Sequence, residues 1–328
     1  MIKLLGTLLT MLLFTLTLSC SNEDRTTIDP GETEKSSPIL ISTSIYPLYD
    51  IARQIGGTKI EAKLILPPGE SPHTFSPTAQ DKRILDASEK IFVIGHLLDD
   101  WVFESVKDSA KIVPVDTNIH LLPFDGDESD HDESDHDESD HDESDHDESD
   151  HDEHSGHKHG EFDPHYWLNP MNAIQIANNI AKEYGEIDPS NRDYYQDRAN
   201  LFSESVAEQY TELLEQLESI KGKSFFTVHN GWSYFAEAFG LRLAGTFEPA
   251  SGDNPTPRHL KNLQDSIHAE GATVIFSEPQ LSTDSIYAFA EDNNLKVLVL
   301  DPIGGNSQTQ SYQELISFNI ETLVENLR

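Results

Sequence analysis

The chain has 328 residues, more than one hydrophobic core usually holds, and this length predicts two domains of roughly 100 to 150 residues each. Its formal net charge is -37, from 59 acidic and 22 basic residues. That balance excludes a phosphate-backbone partner, since such binding requires clustered Lys and Arg, so we expect no nucleic-acid partner.

The amino terminus has the pattern of a secretory signal peptide. Lys3 precedes an apolar run over residues 4–18, which ends just before Cys20. This run is shorter than the roughly 20 residues that cross a bilayer, and no later stretch is long and apolar enough to do so. We predict a signal peptide over residues 1–19 and an exported protein without a transmembrane segment.

Cys20 is the only cysteine, so the chain can form neither an intrachain disulfide nor a thiolate-rich metal site. With the residues before it, Cys20 resembles a bacterial lipobox, in which the cysteine is acylated, although Thr17 stands where that pattern usually has Leu. The alternative is a plain signal peptide with an incidental cysteine. We predict a lipid anchor at Cys20 on a bacterial membrane, and a flexible polar tether over residues 20–38.

Short β-branched runs alternate with helical stretches from Ile39 onward. Strands spaced by helices predict a parallel sheet covered on both faces, and we assign residues 39–186 to an N-terminal α/β lobe. The expected strands are Ile39–Ser44, Ile60–Leu66, Ile91–Ile94 and Ile112–Val115, and the expected helices are Leu48–Ile55, Gln80–Asp86 and Leu97–Val106.

An acidic, histidine-rich repeat interrupts this lobe. Five copies of Asp-Glu-Ser-Asp-His run from Asp127 to His151, with a period too short for a solenoid and nothing apolar to bury. We predict a disordered loop over residues 127–159. Its eight histidines either bind metal weakly or belong to a solvated charge run that merely attracts cations, and both readings stay open. They are His131, His136, His141, His146, His151, His154, His157 and His159.

A long helix is predicted near the middle of the chain. A first helix runs from Pro170 to about Tyr184; Asp188 and Pro189 suit the start of the next, and Gly222 ends it. Its apolar residues form a single stripe, and about 32 residues make a rod roughly 48 Å long. We interpret residues 187–222 as a rigid helix that joins two lobes. The alternative is a long surface helix within one domain.

The same alternation of strands and helices resumes over residues 223–328, a C-terminal α/β lobe. We therefore expect an α/β fold of two similar lobes, with a ligand in the cleft between them, because open α/β sheets bind ligands outside the carboxyl ends of their strands. The expected strands are Ser224–Val228, Leu241–Thr246, Thr273–Phe276 and Val297–Leu300, and the expected helices are Trp232–Phe239, Pro257–Glu270, Ser282–Asn293 and Tyr312–Leu327.

Four metal-competent side chains lie in loops or directly after these strands: His73 and His165 in the first half, His229 and Asp301 in the second. Neutral imidazoles with a carboxylate suit tetrahedral zinc, with ligand distances of about 2.0 to 2.2 Å. Taken singly, however, a histidine beside a strand is more often a hydrogen-bonding or surface residue. Residue types alone leave the set suggestive.

A series of five ordered motifs resembles that of the zinc and manganese solute-binding proteins of ABC importers, over about residues 39–328. This resemblance implies two α/β lobes joined by a rigid helix, in agreement with the rod inferred from the apolar stripe. The motifs are Pro72-His73-Thr74-Phe75-Ser76-Pro77, Asp163-Pro164-His165-Tyr166-Trp167-Leu168-Asn169-Pro170, His229 with Tyr234-Phe235, Ser277-Glu278-Pro279-Gln280, and Leu300-Asp301-Pro302.

The resemblance also implies a ligand set of His73, His165, His229 and Asp301. The third ligand is a carboxylate in manganese-selective members, so His229 favours zinc, because manganese prefers oxygen donors. Some zinc receptors carry an acidic ligand directly before the first histidine, where this chain has Pro72, and Asp301 is then the better fourth ligand. Glu278 is expected to support a ligand histidine. The acidic loop falls where zinc-type members carry a His-rich insertion.

We therefore expect a monomeric, lipid-anchored receptor outside the cytoplasm that captures zinc and delivers it to an ABC transporter permease. Two alternatives remain: a manganese receptor of the same family, and a surface metal buffer or adhesin in which the acidic loop is the working part. We expect no enzyme, because catalytic zinc keeps a coordination position open, which four protein ligands would fill, and because the chain has no His-Glu-x-x-His motif.

Overall fold

Two parallel four-stranded sheets, one in each half of the chain, form the frame of the protein. The structure is a computed structural model that describes residues 37–124, 161–248, 255–281 and 284–327. The predicted signal peptide, Cys20, nearly all of the tether, and the acidic loop with its eight histidines lie outside the described residues. The described residues from Pro38 onward belong to one compact unit, so contacts between the two halves can be described.

The N-terminal sheet has the order β2-β1-β3-β4, and all its strand pairs are parallel. Its central strands are buried because helices cover both faces, as parallel sheets require. The strands are β1 (Ile39–Thr43), β2 (Ile60–Leu64), β3 (Lys90–Val93) and β4 (Ile112–Pro114), and the helices are α1 (Tyr46–Gly56), α2 (Ala79–Ala87), α3 (Trp101–Ser105) and α4 (Pro170–Ile187).

The second sheet repeats this topology with the order β6-β5-β7-β8, again parallel throughout. The strand order reverses next to β1 in one sheet and β5 in the other, which is where such sheets bind ligands. The strands are β5 (Ser224–Thr227), β6 (Arg242–Thr246), β7 (Val274–Ser277) and β8 (Lys296–Val299). The later helices are α6 (Ser233–Phe239), α7 (Pro257–Glu270), α8 (Asp284–Asp292) and α9 (Tyr312–Asn326).

The connecting helix α5 spans Arg192–Leu217 and is flanked by 3-10 turns at Pro189–Asn191 and Glu218–Ile220. Its buried side chains recur every three, four or seven residues, so one stripe faces the core. They are Tyr195, Ala199, Phe202, Val206, Leu213 and Leu217. The predicted architecture of two α/β lobes and a long connecting helix is confirmed.

Every predicted strand is present, with its ends displaced by at most two residues. The predicted start of one helix is wrong. The helix predicted from Leu97 begins only at Trp101, because Gly95, His96 and Leu97 have φ angles of 81°, 53° and 67°. This left-handed backbone cannot continue into an α-helix. Asp99 accepts hydrogen bonds from the backbone N–H groups of Ile94 and Gly95, at 2.7 and 2.8 Å, and stabilises the turn.

Among the helices of the described segments, none combines the length and the apolar character needed to cross a membrane.

Candidate metal centre

Three histidines from distant parts of the chain converge at one point. Potential ligand atoms of His73, His165 and His229 all lie within 4.8 Å of one another. Their ring centroids are 5.7 Å apart for His73 and His165, 5.3 Å for His73 and His229, and 4.9 Å for His165 and His229. Three imidazole nitrogens at this spacing can surround one divalent cation.

His73 lies in the long loop after β2, and two contacts from α3 hold that loop. Trp101 donates a hydrogen bond from Nε1 to the carbonyl oxygen of Pro72 at 3.1 Å, and its ring packs edge-on against Phe75 with centroids 4.9 Å apart. Residues on both sides of His73 therefore pack on one buried tryptophan. These contacts hold the proline-rich loop, and with it His73, against α3.

His165 is oriented by Asp163, two residues before it. Asp163 Oδ1 lies 2.8 Å from His165 Nδ1 and accepts a hydrogen bond from the His165 backbone N–H at 2.9 Å. Both side chains are buried. A carboxylate on Nδ1 selects the tautomer that is protonated there and leaves Nε2 free for a metal.

His229 follows β5 and is paired with Glu278, which follows β7. Glu278 Oε1 lies 3.2 Å from His229 Nδ1 and accepts a hydrogen bond from Trp232 Nε1 at 2.9 Å. Burial alone would raise the pKa of Glu278, but the neighbouring His229 and the hydrogen bond from Trp232 act in the opposite direction, and the net pKa is lowered. Burial alone would lower the pKa of His229, but Glu278 and more distant carboxylates act in the opposite direction, and the net pKa is raised. The pair is thus ionic when His229 is protonated.

Gly231 is a site residue that the sequence pattern did not single out. A Cβ atom at this position would lie 2.9 Å from His229 Cε1, closer than real Cβ contacts, and 3.0 Å from His165 Nε2, tighter than nearly all of them. Only glycine therefore lets the backbone pass beside both imidazoles. Its position two residues after His229 was the only available signal.

Asp301 follows β8 and is buried, but the group of ligand atoms found in the described part of the chain does not include it. Its carboxylate accepts hydrogen bonds from the backbone N–H groups of Ile303 and Gly304, at 3.0 and 2.8 Å. Asn306 Nδ2 donates a further one at 2.8 Å. In this structure Asp301 organises the turn that follows it.

A cavity of about 370 Å³ lies beside the histidines, where the chain enters and leaves the acidic loop. The backbone N–H of Phe124 donates to the carbonyl of Glu161 at 3.1 Å, and Pro123 and Phe162 form an isolated antiparallel bridge. The two ends of the loop therefore meet next to the metal centre. The lining residues are Leu122, Pro123, Phe124, Asp163, Asn230, Ser233 and Leu243.

Comparison with known proteins is consistent with a metal-binding role. Residues 41–326 match the family described as zinc-uptake complex component A, periplasmic. The high-affinity zinc uptake system protein ZnuA of Brucella abortus (strain 2308) is 32% identical over 281 residues, which cover 80% of this chain and 84% of that protein.

Two further relatives extend this comparison. The manganese ABC transporter substrate-binding lipoprotein PsaA of Streptococcus pneumoniae is 26% identical over 309 residues, or 90% of this chain and 92% of that protein. A crystal structure of ZnuA superposes with a TM-score of 0.72 at 25% identity, over 89% of this chain and all of that one.

Proposed function

The chain belongs to the family of periplasmic zinc-uptake components, and we propose that it holds the captured ion with His73, His165, His229 and Asp301. As a member of this family it is a receptor that binds zinc outside the cytoplasm and delivers it to an ABC-type permease. It is not an enzyme: the zinc ion is cargo and not a catalytic group.

The convergence of three imidazoles is the observation that carries the ligand assignment. Each of two histidines is oriented by a buried carboxylate, which leaves its other nitrogen for the metal. Neutral nitrogen donors suit zinc, whereas manganese prefers carboxylate and carbonyl oxygens. The chain is therefore a zinc receptor, although the relative from Streptococcus pneumoniae, 26% identical, is named as a manganese transporter component.

Asp301 is the carboxylate that we propose as the fourth ligand. It follows a strand of the C-terminal sheet, and its Oδ2 atom accepts hydrogen bonds from Asn306 at 2.8 Å and from Thr309 at 3.4 Å. The Thr309 bond is long, so a metal ion on this oxygen would replace the weaker of the two. Because Asp301 lies outside the histidine group, zinc binding requires its carboxylate to approach the three imidazoles.

We also propose that the mature protein is a monomer anchored by an acylated Cys20. The signal-peptide pattern that ends at this cysteine supports the anchor, and the Streptococcus pneumoniae relative is described as a lipoprotein. One chain supplies every ligand of the site, so binding does not depend on a second copy.

Elemental analysis and calorimetric titration of the purified protein test this assignment. We expect one tightly bound zinc ion per chain, with a full tetrahedral set of protein ligands, and much weaker binding of manganese. Replacement of His73 by Ala should abolish tight binding, whereas replacement of the exposed His268 should not. Tight zinc binding that survives His73→Ala would refute the assignment.

A further inference from the structure

We propose that helix α9 aligns the zinc site, with Tyr312 and Asn319 as positioning residues and with Asp50 fixing the start of the helix. None of these three residues belongs to the proposed ligand set. The inference rests on the proposed ligand set, because it concerns how the segments that carry His165 and Asp301 are positioned relative to each other.

Tyr312 connects α9 to the segment that carries His165. Its hydroxyl donates a hydrogen bond to the carbonyl oxygen of Trp167 at 2.8 Å, and both side chains are fully buried. Trp167 lies two residues after His165, and its ring packs beside that imidazole with centroids 5.3 Å apart. Trp167 Nε1 donates to the carbonyl oxygen of Pro302 at 2.7 Å. The His165 turn is therefore held from two directions.

Asn319 connects the same helix to the segment that carries Asp301. It follows Tyr312 by seven residues, about two helical turns, so both side chains lie on one face of α9. The amide oxygen of Asn319 accepts from the Asp301 backbone N–H at 2.8 Å, and its Nδ2 donates to the Asp301 carbonyl at 2.7 Å. One helical face thus holds the backbone around a ligand from each lobe.

Asp50 of α1 fixes the amino end of this helix. Its Oδ2 atom accepts a hydrogen bond from the backbone N–H of Tyr312 at 2.8 Å, and the side chain is fully buried. Ser311 caps the same end by accepting from the N–H of Glu314 at 3.1 Å. A carboxylate at the positive end of a helix dipole is favourable, so Asp50 joins the first and last helices of the compact unit.

This arrangement matters because zinc tolerates little variation in ligand distance. When a site takes its ligands from two lobes, the ligand positions depend on the contacts that connect the lobes. Supporting residues keep such ligands within about 0.5 Å of the binding geometry. Removing one of these connecting contacts is expected to change the binding affinity by about 2-fold to 30-fold. We therefore expect an effect on zinc affinity from residues that never touch the ion.

Two matched phenylalanine variants test the inference. Tyr312→Phe removes the hydroxyl that reaches Trp167, whereas Tyr184→Phe removes an equally buried hydroxyl that donates to the Ala52 carbonyl at 3.2 Å within the N-terminal lobe. Both variants lose one buried hydrogen bond. Zinc affinity is measured by calorimetry, Co²⁺ absorption reports the coordination geometry, and thermal unfolding of the metal-free protein reports stability.

We expect Tyr312→Phe to weaken zinc binding by about 2-fold to 30-fold and to shift the Co²⁺ bands, and Tyr184→Phe to change affinity by less than about twofold. Asp50→Leu should behave like Tyr312→Phe, whereas Asp50→Asn keeps an acceptor for the Tyr312 N–H and should restore affinity. Equal affinities for both phenylalanine variants would overturn the inference while leaving the zinc site intact. If the wild-type protein itself does not bind zinc tightly, the proposed function is refuted instead.

Discussion

His229 and Glu278 are joined across the carboxyl edge of the C-terminal sheet, with Nδ1 and Oε1 3.2 Å apart. They are 49 residues apart in the chain but follow neighbouring strands, β5 and β7, so the sheet topology brings them together. The carboxylate fixes the ring and increases the basicity of the nitrogen that faces the other histidines. This contact identifies Glu278 as the carboxylate that supports His229.

Replacing Glu278 by Gln should weaken zinc binding by about 10-fold to 100-fold, the usual effect of removing a carboxylate behind a metal-binding histidine. The negative charge that faces His229 Nδ1 is lost, and the hydrogen bond from Trp232 competes with His229 for the single remaining side-chain oxygen. Calorimetric titration measures the change. Glu270→Gln is the matched control, because Glu270 pairs with Arg242 on the surface, and it should leave zinc affinity unaltered.

Gly231→Ala should lower zinc affinity by at least about tenfold, the scale seen when the support of a metal ligand is disturbed. The new methyl group would push against both His165 and His229. Gly222→Ala provides the contrast, since Gly222 has a φ of 70° and open space around it. That variant should lower the unfolding temperature and keep zinc affinity. Equal zinc affinities for the two variants would contradict the close packing at Gly231.

Zinc affinity should fall steeply as the pH drops below about 6.5, because histidines must be deprotonated to bind a metal. Glu278 and more distant carboxylates together outweigh the effect of burial on His229, whose pKa is raised, so protons compete for this ligand at a higher pH than for an ordinary histidine. The lowered pKa of Glu278 keeps its carboxylate ionised through that range. Calorimetry at several pH values checks this, and a flat profile would argue against three histidine ligands.

Deleting residues 127–159 should leave one tight zinc site per chain, because the proposed ligands all lie outside that segment. The backbone contact between Phe124 and Glu161 allows a short turn to close the gap. Elemental analysis before and after deletion distinguishes a receptor from a surface metal buffer, which would lose nearly all its zinc. Loss of the tight site on deletion would show that the three-histidine assignment is wrong.

His229→Glu should shift metal preference from zinc toward manganese, because it replaces a nitrogen donor with the oxygen donor that manganese favours. Competition between the two metals, followed by elemental analysis, measures the shift. His268→Glu adds the same charge at an exposed position of α7 and should keep the zinc preference. An unchanged preference in His229→Glu would mean that residue 229 does not coordinate the ion.

Several features could be predicted from local sequence because they depend on local periodicity. Alternating β-branched and amphipathic stretches placed every strand within two residues, and the apolar stripe over residues 199–220 predicted the connecting helix. The family resemblance, carried by ordered motifs, selected His73, His165 and His229 from among the fifteen histidines. Local pattern failed at residues 95–97, where a left-handed turn stabilised by Asp99 replaces a predicted helix start.

The sequence by itself determined the α/β alternation, the charge, the predicted export signal and the candidate ligands. Only the tertiary structure decided which carboxylate supports which imidazole, why residue 231 must be glycine, and how α9 joins the His165 and Asp301 segments. It also assigned the Asp301 carboxylate to the turn that follows it. These relationships depend on contacts between residues that are far apart in sequence, and strand order, which local pattern does not encode, brings them together.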